Sequence, residues 1–141
     1  MLKRLRNQRG AALIETAITL PLVLLVSVSI FEFGRAYQTW QVLTNAAREG
    51  ARVAVLEQYT DADVTATVRN YLTSGALTNA STASITVVRN VPFGTTTASR
   101  ITVNYPFNFI VLNPVARLVR SGSTVGTPLT MQSSALMRNE Q

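Results

Sequence analysis

Glu15 is the one ionisable side chain between Ala11 and Phe31, and it sits five residues after Gly10 in Arg9-Gly10-Ala11-Ala12-Leu13-Ile14-Glu15. Cleavage of the Gly10–Ala11 bond would give Ala11 a new α-ammonium group and make Glu15 the fifth residue of the product. In an assembly of like helices that ammonium would pair with the Glu15 carboxylate of a neighbouring chain. At low dielectric such a pair is attractive enough to set axial register, although desolvation offsets much of the gain. A first-turn glutamate favoured by the helix dipole and snorkelling to an interface is the alternative, and residue chemistry alone leaves both open. Catalytic chemistry is poorly supplied. With no histidine and no cysteine, the common general base, the thiol nucleophile and most transition-metal ligands are missing. Serines are plentiful but lack an activating base, the sole lysine is Lys3, and no glycine-rich phosphate loop opens a helix. The reading is a non-enzyme with no cofactor and no metal site.

The element that positions Glu15 is an apolar run from Ala11 to Phe31. About 20 residues rising roughly 1.5 Å each match a hydrocarbon core of about 30 Å, so a membrane-spanning helix is expected. Lys3, Arg4, Arg6 and Arg9 precede it. Basic flanks stay on the cytoplasmic side, so the rest of the chain is expected on the far side. An acid inside the span costs roughly 2.5–3.5 kcal/mol at mid-depth, which marks Glu15 as a residue with a purpose. Pro21 removes one helical hydrogen bond within the span, either as a point of bending or as a plain kink. An ordinary secretory signal is the rival: Ser27-Val28-Ser29 offers small residues for signal peptidase and a product beginning at Ile30. Glu15 and the length of the run speak against it.

Helical periodicity continues past the span. Phe33, Tyr37, Trp40, Leu43 and Ala47 form an apolar stripe at spacings of three and four. Tyr37 and Trp40 suit an interfacial aromatic belt, and core packing is the other reading of Trp40. Ala46, Gly50 and Ala54 form a row of minimal volume that admits a close neighbour, either another helix or the chain's own sheet. Glu49 and Arg52 suit a solvated pair at i,i+3. The helix is expected from about Ala11 to about Leu56. Thr60 or Asp61 then reads as an N-cap, with Asp63 in the first turn. Val64, Val68, Tyr71 and Leu72 line a second helix ending near Gly75. Capping explains Asp61 and Asp63 better than a metal loop, because no ligand spacing follows. Ser84–Arg89 and Arg100–Tyr105 read as paired strands around turn material at 90–95. Phe107–Leu112 reads as a buried strand or a loop under the sheet, Val115–Arg120 as a helical turn, Ser121–Pro128 as a loop and Leu129–Met137 as the last strand. The fold class is α+β: a long N-terminal helix, membrane-spanning in its first half, against a small, mostly antiparallel sheet over Trp40–Val55.

Among 141 residues there is room for an anchor and one modest domain. The formal charge of +6 overstates the basicity. Four of the 13 basic residues precede Ala11, which leaves nine against seven acidic ones, or +2, too scattered for a nucleic-acid surface.

Gly10, Ala11 and Glu15 ahead of an apolar run resemble the class III signal of type IV pilins and pseudopilins. Arg9-Gly10-Ala11-Ala12, Leu20-Pro21, Phe31-Glu32-Phe33-Gly34-Arg35 and Thr44-Asn45-Ala46-Ala47-Arg48-Glu49-Gly50-Ala51-Arg52 more closely resemble the TadE-like family, the minor pseudopilins of the tight-adherence (Flp, type IVc) pilus system. Ala135-Leu136-Met137-Arg138-Asn139-Glu140 is similar to the family's closing segment. The resemblance is dense over 9–55 and thin through the middle. It implies cleavage after Gly10 by a prepilin peptidase that reads Gly10, Ala11 and Glu15, followed by assembly through Ala11 and Glu15. It divides the chain into a cytoplasmic leader at 1–10, a transmembrane half-helix at 11–31 and a periplasmic pilin-like domain at 32–141. The implied place is the bacterial inner membrane, with possible incorporation in a pilus. The implied partners are the peptidase, other pilins or pseudopilins, the inner-membrane assembly platform and the lipid bilayer, with no nucleic acid. Ala11 stands where many type IV pilins have Phe, which leaves N-methylation of the new terminus open. A single-span anchored binding module and a secreted protein cleaved after Ser29 are the alternatives.

Overall fold

The computed structural model describes residues 8–119 and 127–139. Helix α1 (Gln8–Ala54) is continuous through Pro21 and is about 70 Å long at 1.5 Å per residue. It begins before the expected Ala11 and carries the Gly10–Ala11 bond in its first turn. Every residue from Ala11 to Ser27 is exposed. The hydroxyls in this stretch fold back on the helix: Thr16, Thr19, Ser27 and Ser29 donate to Ala12, Glu15, Val23 and Leu25 carbonyls at 2.7–2.9 Å. Such back-bonding satisfies a hydroxyl that hydrocarbon would leave without a partner.

Beyond this exposed stretch the same helix becomes the spine of a small domain. Its buried residues are Glu32, Ala36, Thr39, Leu43, Ala46, Ala47, Gly50, Ala51, Val53 and Ala54. The expected stripe is therefore split. Leu43 and Ala47 are in the core, whereas Phe33, Tyr37 and Trp40 are exposed, with the Tyr37 and Trp40 rings 6.3 Å apart. Core packing of Trp40 is thus corrected. The buried stripe is set by small residues, because they let the sheet and the second helix approach the backbone.

Helix α2 (Asp61–Ser74) buries Val64, Val68 and Leu72, while Tyr71 stays exposed at its edge. Its N-cap is Thr60. The Thr60 hydroxyl accepts from Asp63 N–H, and the Asp63 carboxylate accepts from Thr60 N–H at 2.9 Å, a reciprocal capping box. The expected capping role of Asp63 is met. Asp61 instead pairs with Arg89 at 2.6 Å.

The sheet has order β1-β2-β3 and is antiparallel throughout, with β1 (Ser84–Phe93), β2 (Thr96–Phe107) and β3 (Leu129–Arg138). Ile85 faces Val103, and Ile101 faces Ala135, on the side turned to α1. The stretch at 90–95, expected to be turn material, is mostly strand. The chain reverses at Gly94, whose φ of +62° glycine adopts without penalty, and Pro92 occupies an edge position opposite Thr97. Asn90, at φ +57°, makes a bulge between Val88 and Val91. Beside the bulge, Arg89 donates to the carbonyls of Ala54 and Tyr59 at 2.7 Å each, capping the end of α1. The segment after Phe107 is a loop followed by α3 (Leu112–Val119), longer than the expected turn. The expected loop at 121–128 lies largely outside the described residues.

Gly50 is where α1 meets both neighbours. A Cβ there would intrude on Val68 Cγ2 and come within 3.4 Å of Ile101 Cγ2. Alanine would gain about 1 kcal/mol of helix propensity. The stiff, β-branched Val68 is fully buried and cannot yield without moving α2. Gly50→Ala is therefore expected to destabilise the full chain in detergent by about 1–3 kcal/mol in chemical denaturation. Combining it with Val68→Ala is expected to cost less than the two changes added, because the second removes the clash.

Candidate functional site

The three residues singled out for processing and assembly all fall at the N-terminal end of α1. Ala11 and Glu15, four residues apart, share one side of the helix and are exposed. Among the described residues nothing bonds to the Glu15 side chain; only its backbone carbonyl accepts, from Thr19. Within one chain the structure thus brings Glu15 to no counter-charge.

A second acid, absent from the sequence-derived site, is placed very differently. Glu32 is the residue at which the exposed apolar stretch gives way to the folded domain, and it is 0% exposed. Its Oε1 accepts from the backbone N–H groups of Ile110 and Val111, each at 2.8 Å. Its Oε2 accepts from Arg35 Nη2 at 3.2 Å. The same Nη2 donates to the Asn108 carbonyl, and the guanidinium lies 4.4 Å from the centre of the Phe107 ring. Phe107 meets Phe109 edge to face at 5.1 Å, and Phe109 meets Phe33 at 6.0 Å. One carboxylate and one guanidinium thereby hold residues 107–111 against the helix just past the exposed apolar stretch.

The arrangement has a local logic. Glu32 and Arg35 are one helical turn apart, so both reach the same segment. Residues 110 and 111 immediately precede α3, so the carboxylate that accepts their N–H groups lies by the N-terminal end of that helix, where the dipole favours an anion. Burial pushes the Glu32 carboxyl up, but the Val111 and Ile110 N–H bonds and the Arg35 hydrogen bond and charge outweigh it. The net direction is below the usual carboxylate value. A sequence signal existed: an acid between two phenylalanines at the head of a small-residue stripe, three residues before an arginine.

Glu32→Ala would leave Arg35 without its anion and two N–H groups without an acceptor. Breaking a buried pair costs about 3–5 kcal/mol, and about 2–3 kcal/mol is expected here because the Arg35 side chain keeps 31% exposure. Glu32→Gln retains an acceptor for Ile110 and Val111 and is expected to cost less. Because the folded carboxyl titrates below its unfolded value, its stabilisation is complete above about pH 4.3 and is lost as pH falls through the folded value. Thermal melts of wild type and Glu32→Gln across this range are expected to converge toward low pH.

Neither segment assembles a catalytic group. Among the described residues no cluster of His, Cys, Asp or Glu is suited to a metal ion. Among the described residues one helix is, by length and composition, long and apolar enough to cross a membrane. No curated protein and no solved structure matches the chain. A family model described as TadE-like protein matches residues 10–52. The match covers Gly10, Ala11 and Glu15, the apolar stretch, the Glu32–Arg35 clasp and the small-residue row through Gly50. Over nearly the whole of helix α1 the chain is therefore similar to the TadE-like family.

Proposed function

We propose that the chain is a minor pseudopilin, a non-enzymatic component that assists assembly of a type IVc (Tad/Flp) pilus used for adhesion or secretion. The observation that carries this reading is the solitary Glu15 on an exposed apolar helix that continues without a break into a folded head. An exposed acid in a membrane helix is retained at a cost, and a counter-charge supplied by another chain offsets it. Cleavage after Gly10 by a prepilin peptidase creates that counter-charge at Ala11. Gly10 lies in the first turn of α1 and is the weakest helix former there, so this turn unwinds readily for a peptidase.

The division of the chain follows. Residues 1–10 are a leader on the cytoplasmic side, residues 11–31 cross the inner membrane, and residues 32–141 form a periplasmic domain. The basic residues before Ala11 support this orientation. In the assembly, the exposed face of α1 packs against other pilins or pseudopilins and against the inner-membrane platform. Neither role requires a cofactor.

The N-terminal residue of the protein recovered from cells tests the reading. Ala11 is expected. Met1 would favour an anchored module that keeps its basic segment, and Ile30 a secreted product. Gly10→Ala is expected to be processed poorly or in part, and a bulky residue at Gly10 to block processing, both visible as a mass difference. Glu15→Val is expected to leave membrane insertion intact and impair piliation. Normal piliation with this variant would overturn the pairing of Glu15 with a neighbouring terminus.

A further inference from the structure

Helix α3 does not sit on the sheet. Leu112 and Val115, with Val111 before them, lie beside Pro21, Leu24, Leu25 and Val28 of α1, and these seven residues enclose a groove of about 300 Å³. The lining side chains are all apolar. Pro21 is eleven residues before Glu32, about 16 Å along the helix, which is roughly half the depth of a hydrocarbon core. The groove thus runs alongside the half of the span nearest the folded domain. The Glu32 clasp fixes α3 at this level, because its two backbone bonds are made to the residues that lead directly into the helix.

Two further features belong to this end of the span. Ile110 and Val111 are 62% and 39% exposed although their N–H groups are bonded to a buried carboxylate, so the loop turns its apolar side chains outward. Within α3, Asn113 and Arg117 fall nearly opposite Leu112 and Val115, the pattern of a helix lying in a membrane interface. In water these exposed apolar groups would be a liability. At this depth they meet acyl chains.

We infer that α3 is seated in the outer leaflet beside α1 and that the groove between them takes a phospholipid acyl chain. The inference rests on the span assigned to residues 11–31. A second copy of the chain is the other occupant of suitable chemistry, but the groove's position within one leaflet places lipid against it before any assembly occurs.

Trp40 is the sole tryptophan, so Trp40→Phe gives a dark background for single-tryptophan variants. Ala116→Trp reports on α3, Leu24→Trp on the span and Thr86→Trp on the exposed face of the sheet. Each full-length protein is reconstituted in phosphatidylethanolamine–phosphatidylglycerol vesicles containing phosphatidylcholine dibrominated in mid-chain. The expected result is quenching at position 116 comparable to that at position 24, with none at position 86. Quenching at 24 but not at 116 overturns the inference and leaves the span standing. Absence of quenching at 24 overturns both. Val111→Trp replaces Ala116→Trp if that variant fails to fold. The chain has no cysteine, so a disulfide-linked dimer from Val115→Cys, accompanied by loss of quenching at 116, would assign the groove to a second copy and overturn the lipid assignment.

Discussion

A carboxylate buried at the end of an apolar span is the constraint on which the geometry of this molecule depends. Glu32 is in contact with the backbone of one segment and the side chain of another, and it leaves no oxygen unsatisfied. Its burial is tolerable only because two amide donors and a guanidinium replace the water it has lost. The consequence is directional. The segment from Phe107 to Val111 is held to one turn of α1, and α3 is thereby held beside the exposed apolar half of α1 rather than against the sheet. A salt bridge on an open surface would not impose this, since screening and side-chain entropy leave such pairs worth little. The exposed Glu49–Arg52 pair in the same helix illustrates the contrast: its partners are neighbours on one helix and connect nothing else.

The long helix meets two environments with two compositions. Up to Phe31 it presents large aliphatic side chains outward and ties its hydroxyls to its own carbonyls, which suits a surrounding without hydrogen-bonding groups. From Ala36 onward the buried side is built mainly of alanine, with one threonine, one leucine, one valine and one glycine, so that α2 and the sheet come close to its backbone. Such a helix needs no break between anchor and scaffold. Arg89 and the Thr60–Asp63 box then close the distal end, where the last carbonyls of α1 and the first amides of α2 would otherwise lack partners.

Much of this was legible in residue order. The apolar length, the continuation of the helix, the capping of α2, the pairing of β1 with β2 and the presence of a last strand follow from periodicities and from the residue types that start and stop them. Ala46, Gly50 and Ala54 announced a close approach, and the structure supplies both candidate neighbours, α2 through Val68 and the sheet through Ile101. The errors have physical causes. Phe33, Tyr37 and Trp40 fell on one stripe with Leu43 and Ala47, and core packing stayed open for Trp40, because hydrophobicity and spacing do not reveal which side of a helix a sheet will cover. Residues 90–95 looked like a turn because asparagine, proline and glycine all break regular structure. An edge strand, however, accepts a proline, and a bulge accepts a left-handed asparagine.

Local chemistry by itself determined the apolar length from Ala11 to Phe31, the isolation of Glu15 within it and the poverty of catalytic groups, since each is a property of neighbouring residues or of composition. Tertiary structure alone decided that Glu32 is buried, that its acceptors serve residues 78 and 79 positions further along the chain, and that α3 returns to the apolar half of α1. No window of sequence contains both ends of those bonds. The burial of an acid becomes favourable only once the distant amides that replace its water have been brought to it.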